Sequence, residues 1–417
     1  MLVVSALGHT TDALLEALEA AESGDEKRAL SRVARLRRET EEIAREFFGG
    51  EAGEAAAEAA PLFGELERMA RAVAVLRSVP PAGRDHFLAH GEMVAALLVA
   101  RALRARGVPA EAVDAREIVI TDDRFGRAQP DAAETADRAR SRLSPIVRRG
   151  AVPVMGGFIG STREGATTTL GRGGSDYTAA LLGSVLPASM VEIWTDVDGI
   201  MTADPRVVPA AQPIEAISFE EASELAYFGA RVLHPLTLAP AIERGIPVRI
   251  RNSTRPEAPG TEVLPTAPSG PSYVRSIAYK KGIATVDVVT SRMLMASGFL
   301  RTLFDVFARC ETSVDMVTTS EVSVSVTVDD ASRLREVRRE IERLAQVEVC
   351  RDRAIVCLVG QDLKFTPGVA ARIFRAVEEV NILMISQGAS RRNVSFVVEE
   401  RDVEKSVRRL HAEFFGC

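Results

Sequence analysis

The chain has 417 residues, 46% hydrophobic and 26% charged, which is ordinary globular usage and enough for about three domains. A net charge of −6 gives no reason to expect nucleic acid or an acidic membrane surface as a partner. Cys310, Cys350, Cys357 and Cys417 form no CxxC pair and no histidine cluster accompanies them, so neither a zinc site nor a disulfide framework is expected, and a reducing, cytoplasmic compartment fits.

Met1-Leu2-Val3-Val4-Ser5-Ala6 lacks a basic region and runs into an acidic helix, unlike a signal peptide. A strand is expected at 2–5. Helical periodicity follows over 11–22, 27–48, 54–76 and 93–106, the last closed by Gly107, which places Glu92 in a first helical turn where the dipole favours an acid. Further strands are expected at 118–121, 151–155, 190–195 and 247–250. This alternation implies a mainly parallel sheet with helices on both faces. The longest apolar stretch, from Tyr177 to Trp194, is broken by Pro187 and Glu192, so no membrane span is expected.

The most informative run lies past the 151–155 strand: Gly156-Gly157-Phe158-Ile159-Gly160-Ser161, then Thr167-Thr168-Thr169-Leu170-Gly171-Arg172-Gly173-Gly174-Ser175-Asp176. Two glycine-rich turns separated by hydroxyls offer backbone N–H groups to an anion, and they sit at the carboxyl end of a strand, where open α/β sheets bind ligands. Asp176 opens a helix with Ser175 as the expected N-cap. This pattern points to phosphate chemistry on a small polar substrate; the alternative is a solvated double turn.

Beyond 263 the architecture changes. Leu264-Pro265-Thr266-Ala267-Pro268-Ser269-Gly270-Pro271 cannot continue a helix or a central strand and reads as a linker. After it, 283–290 alternates, 298–310 is amphipathic, 313–318 and 322–328 are strands, 331–344 a helix and 347–350 a short strand. Segments 354–360, 368–380, 382–386, 393–398 and 403–414 repeat that order, a degenerate repeat of a small ferredoxin-like unit. Arginine carries the cationic work, since only five of the 52 basic residues are lysine.

Gly157 to Thr178, Trp194-Thr195-Asp196-Val197-Asp198-Gly199-Ile200 with Ala203-Asp204-Pro205-Arg206, and Phe228-Gly229-Ala230-Arg231-Val232-Leu233-His234-Pro235 together resemble the aspartokinases over essentially the whole chain, with the C-terminal third similar to the lysine-sensitive group. The resemblance implies an α/β amino-acid kinase fold over 1–263, a linker at 264–272 and two α+β ACT modules, the first (282–351) inserted into the second (273–281 with 352–417). It implies transfer of the ATP γ-phosphoryl group to the side-chain carboxylate of L-aspartate, with Mg²⁺. A carboxylate is ionised near neutral pH, so the nucleophile needs no general base and catalysis consists of positioning and charge stabilisation.

Carried over by position, Arg172 and Asp176 are the catalytic candidates. Arg172 clamps an aspartate carboxylate, Ser5, Thr11 and Ser175 supply hydroxyls, Phe158 walls the pocket and Glu92 pairs with the substrate ammonium. Thr195, Asp196, Met201, Arg206, Arg231 and Val232 are the nucleotide candidates, although Met201 stands where tyrosine is usual and Arg231 replaces a lysine; Asp204 and Arg206 read equally as an ion pair in a turn. Metal ligands are not identified. Met293, Phe299, Leu300, Ser313, Val314, Asp315, Ser320 and Glu321 resemble a lysine-binding surface, with Ala296 in place of a serine; threonine is the second candidate effector, and on residues alone Val314 and Met316 read as core and Asp315 as a turn acid. A homodimer through the ACT modules is expected, with a tetramer as its further pairing.

The resemblance also implies a strand and a Lys-Phe-Gly-Gly-Thr-Ser loop ahead of the present Leu2 strand. The expectation is therefore that an N-terminally extended form is active and the chain as given is weak. Two alternatives stay open: a catalytically impaired amino-acid sensor on the kinase scaffold, and a kinase acting on glutamate or its derivatives.

Overall fold

The computed structural model describes residues 1–228, 237–268, 272–290 and 297–416. It separates into two compact units, 1–191 with 236–246 and 192–235 with 247–417.

The first unit comprises β1 (Leu2–Val4), α1 (Thr10–Glu22), α2 (Glu26–Phe48), α3 (Ala52–Leu76), α4 (Pro81–Ala105), β2 (Ala110–Val113), α5 (Ala132–Arg148), β3 (Val152–Gly156), β4 (Ile159–Ser161), β5 (Thr167–Thr169) and α6 (Gly174–Val185). Its parallel sheet runs β1-β3-β2, with Val4 beside Gly156, so β1 and β3 end together. Apolar residues at helical spacing explain the layer of α1 to α4: Leu14, Ala17, Leu18 and Ala21 on α1 meet Ala29, Val33 and Leu36 on α2 and Phe63 and Leu66 on α3 in one core. The Asp25 side chain caps α2 by accepting from Arg28 N–H at 3.0 Å.

Helix α4 differs most from expectation. It begins at Pro81, not near Met93, because proline at the first helical position surrenders an N–H that would be unpaired anyway. Glu92 therefore lies mid-helix rather than in a first turn. Among the described residues α4 is the one helix long and apolar enough to cross a membrane, at 25 residues and mean hydropathy 1.2, and 61% of that window is buried inside the protein. The expected strand at 118–121 is absent; Ile118, Val119 and Ile120 are buried, but they join neighbours through the isolated bridges Ile120–Ser161 and Thr121–Pro130. Helices α3 and α4 also bring Glu65, His86 and His90 together, which corrects the expectation of no histidine cluster.

In the second unit, β6 (Val191–Thr195), β7 (Ala216–Ser218), β8 (Val248–Asn252) and β9 (Thr261–Leu264) form a sheet in the order β6-β8-β9-β7. It is mixed rather than parallel, since β8 runs antiparallel to β9. Helix α7 (Phe219–Tyr227) starts with a reciprocal capping box between Ser218 and Glu221, while the short α8 (Ala239–Glu243) belongs with α6 in the first unit.

The remaining elements are β10 (Val274–Val289), α9 (Phe299–Arg309), β11 (Val317–Thr319), β12 (Ser323–Val328), α10 (Leu334–Ile341), β13 (Gln346–Gly360), α11 (Val369–Ala376), β14 (Met384–Gln387), β15 (Asn393–Glu399) and α12 (Val403–Phe415). They build one antiparallel sheet, β11-β12-β10-β13-β15-β14. The strands expected at 347–350 and 354–360 are a single strand, β13, paired along β10 in two stretches with register shifts between Lys280 and Thr285. Each stretch carries its own core: Val286, Val306, Phe307, Val326 and Val337 in one, Ile277, Val356, Ile373, Phe396 and Leu410 in the other.

Candidate active site

The carboxyl ends of β1 and β3 and the amino end of α6 converge in the first unit. A Cβ on Gly156 would stand 2.8 Å from Glu92 Cβ, and one on Gly157 would stand 2.6 Å from Ser175 Cα and 2.9 Å from Val3. The backbone thus threads between Glu92 on α4 and Ser175 on α6, a passage only glycine fits. Ala6 N–H, just past β1, donates to Glu92 Oε1 at 3.2 Å. Glu92 Oε2 is buried with no hydrogen-bond partner, and burial pushes the carboxyl up to about 7. A buried carboxylate with an open oxygen is a receptor for a cation.

Phe158 follows at φ +66°, its N–H donating to Thr178 Oγ1 at 3.2 Å and its ring against Gly174. Ser175 is not the N-cap: α6 begins at Gly174 behind Gly173, whose φ of +70° makes the turn, so Ser175 and Asp176 sit in the first turn, where no preceding turn supplies acceptors for their amides. Burial raises the Asp176 carboxyl to about 6. Arg172 is exposed and has no partner among the described residues. Ser5 is exposed, and Thr11 lies half-buried in the first turn of α1.

The three threonines do not face a ligand as hydroxyl donors. All are buried: Thr167 Oγ1 lies 2.8 Å from His86 Nδ1, Thr168 Oγ1 lies 2.8 Å from Thr121 Oγ1, and Thr169 N–H donates to Asp85. They hold the loop that carries Arg172. Asp85, which sequence reasoning missed, accepts from both Thr169 and Gly126 N–H on one oxygen; burial raises its carboxyl and those two bonds partly offset the rise. Burial of this acid was not legible from its sequence neighbours, Arg84 and His86.

The nucleotide candidates lie in the second unit. Thr195 ends β6 and its hydroxyl donates to Asp196 Oδ1 at 3.1 Å, leaving the Asp196 side chain exposed. Asn252 Nδ2 donates to Asp198 Oδ1 at 2.8 Å and orders the same turn. Met201 is half-buried, its carbonyl accepting from Ser276 Oγ at 2.8 Å. Arg206 forms the turn ion pair: its guanidinium lies 2.7 Å from Asp204 Oδ2, and Tyr279 hydroxyl donates to that oxygen at 2.9 Å. The Arg206 hydrogen bonds hold the Asp204 carboxyl down at about 2. Arg231, Val232 and Met293 lie outside the described residues.

Of the effector candidates, Phe299 and Leu300 open α9 behind Gly298. Ser313 is exposed, and Val314 packs on the core of the first stretch. The expected strand at 313–318 begins only at Val317. Asp315 accepts from the Tyr227 hydroxyl and lies 3.5 Å from Lys280 Nζ, which also pairs with Asp329 at 2.8 Å; burial raises its carboxyl, and those partners offset part of the rise. Asp315 is therefore already engaged by a cation of its own chain. Ser320 closes the β11–β12 turn, its Oγ accepting from Ser323 N–H at 3.1 Å, and Glu321 beside it is exposed.

Residues 1–252 match the amino acid kinase family and 356–414 an ACT domain. The lysine-sensitive aspartokinase 3 of Escherichia coli K12 is 44% identical over 364 residues, covering 84% of this chain and 81% of that protein. The crystal structure of E. coli aspartokinase III with aspartate and ADP (R-state) superposes with a TM-score of 0.85 at 40% identity, covering 99% of this chain and 92% of the other. Its complex with lysine and aspartate (T-state) gives 0.82 at the same identity and coverage. The family match, the sequence identity and the architecture agree, and the chain belongs to the aspartokinases of the amino acid kinase family.

Proposed function

We propose that the protein transfers the ATP γ-phosphoryl group to the side-chain carboxylate of L-aspartate, giving 4-phospho-L-aspartate and ADP. The observation that carries this reading is Glu92: a carboxylate buried at the strand ends with an unpartnered oxygen. An amino-acid ammonium would satisfy it and draw it into the ionised form. Arg172, without a partner among the described residues, is suited to clamp a carboxylate of the same substrate, with Ser175, Ser5 and Thr11 as hydroxyl contacts and Phe158 as a wall. The substrate nucleophile is already ionised, so no residue need take its proton. Asp176, half-buried in the first turn of α6, stands beside Ser175 as the second catalytic candidate. The E. coli relative bound to aspartate and ADP supports both ligands.

For the nucleotide, Thr195, Asp196, Met201, Arg206, Arg231 and Val232 are the residues we assign. An exposed carboxylate beside a hydroxyl, as in Asp196 and Thr195, suits a hard cation such as Mg²⁺, which when bound neutralises charge on phosphate oxygens. L-Lysine is the proposed effector, supported by the lysine-bound relative. It is assigned to Met293, Phe299, Leu300, Ser313, Val314, Asp315, Ser320 and Glu321, on modules 282–351 and 273–281 with 352–417, which we propose pair two subunits of a cytoplasmic enzyme. Hydroxylamine trapping tests the activity: with MgATP and L-aspartate, hydroxamate and ADP should form in equal amounts. The chain and an N-terminally extended form are assayed side by side, and hydroxamate from neither, with folded protein, overturns the reading.

A further inference from the structure

We propose that Glu65, His86 and His90 form a binding site for a divalent cation of the imidazole-preferring class, Zn²⁺ foremost, separate from the magnesium that accompanies a nucleotide. His86 and His90 stand one helical turn apart on α4, so their rings project from one face, and Glu65 reaches them from α3. One ligand atom from each lies within 4.8 Å of the others. Two donors on a tetrahedral zinc at about 2.1 Å are about 3.4 Å apart, so closing the site requires side-chain adjustment of up to about 1.4 Å.

The observation that points to a ligand is His90 Nε2. The His90 side chain is fully buried, and this nitrogen has no hydrogen-bond partner. Its other nitrogen, Nδ1, lies 2.9 Å from the His86 carbonyl oxygen, which can only accept, so Nδ1 carries the proton. In the neutral ring Nε2 then presents its lone pair toward Glu65 Oε2, 3.6 Å away. A lone pair facing a carboxylate oxygen is repulsive unless a positive charge lies between them, and burial opposes placing that charge on the ring itself. A metal ion supplies the charge without it.

The surroundings fit a metal centre. His86 Nε2 lies 2.8 Å from Glu65 Oε1, and His86 Nδ1 lies 2.8 Å from Thr167 Oγ1, the outer hydrogen bond that orients a ligating imidazole. Glu65 and His86 are partly exposed, which gives the ion an entry path and leaves a position for water. Two imidazoles and one carboxylate favour zinc, nickel or copper over magnesium. Occupancy would tie α3 to α4 and to β5, the strand leading into the Arg172 loop.

The test uses the chelator-stripped full chain. Titration with Zn²⁺ should show saturable one-to-one binding and raise the thermal midpoint, Co²⁺ should develop visible d–d absorption, and Mg²⁺ should do neither. Because His90 is buried, the variants are Glu65→Gln and His86→Gln at partly exposed positions, and each should weaken zinc binding by more than about tenfold. Absence of saturable zinc binding and of cobalt bands in the folded wild type, or unchanged affinity in both variants, overturns the proposal.

Discussion

Asp85 accepts from the Thr169 N–H at 2.7 Å, and the same carboxylate oxygen takes the Gly126 N–H at 2.8 Å. A single buried acid from α4 thus pins two loop segments. Asp85→Ala leaves the buried Thr169 N–H unpaired and releases the exposed Gly126 N–H to water, so chemical denaturation should report a loss of about 1–3 kcal/mol, and aspartate KM should rise because the Arg172 loop loosens. Asp85→Asn keeps an acceptor and should lose less.

Glu92 gives a pH signature. Its folded-state carboxyl lies near 7 against an ordinary value of 4.5, so the fold favours the protonated form. The stability it contributes is fully present below about 4.5 and is lost as the pH rises through about 7. Glu92→Gln should therefore be more stable than wild type above that window, by on the order of 3 kcal/mol at most, and the difference should vanish toward its lower end. Aspartate kcat/KM should fall roughly 100-fold in the same variant, since the substrate ammonium loses its counter-charge.

Gly157→Ala places a methyl 2.6 Å from the Ser175 backbone, which cannot move as a side-chain tip can. A destabilisation of about 1–3 kcal/mol is expected, with lowered affinity for aspartate measured by calorimetry.

In the C-terminal sheet, Lys280 faces both Asp315 and Asp329. Lys280→Met should cost about 2 kcal/mol by leaving the buried Asp315 without its cation. Asp315→Asn should raise the lysine concentration for half-inhibition more than about tenfold, read from inhibition curves; an unchanged curve removes Asp315 from the effector site.

Much of the architecture was legible because it is written locally. The 3.6-residue spacing of Leu14, Ala17, Leu18 and Ala21 marks α1. The start of α4 was hidden because Pro80-Pro81 followed by Gly83 reads as a turn, whereas Pro81 serves as the first helical residue. Ser175 looked like an N-cap by residue type, yet Gly173 at positive φ makes the turn two residues earlier. The inward placement of the three threonines was not legible: the Thr167 and Thr168 hydroxyls meet His86 and Thr121, and the Thr169 N–H donates to Asp85.

By itself the sequence determined the class of fold, the glycine turn at the strand end and the residue types available for charge recognition, since these depend on neighbours a few positions apart. Tertiary packing decided which charges matter. Ala6 and Glu92 meet across 86 residues, and only that burial raises the Glu92 carboxyl and leaves one of its oxygens open. The same cause assembles Glu65 with His86 and His90 and gives Asp315 a lysine partner: desolvation and proximity belong to the folded interior and have no linear pattern.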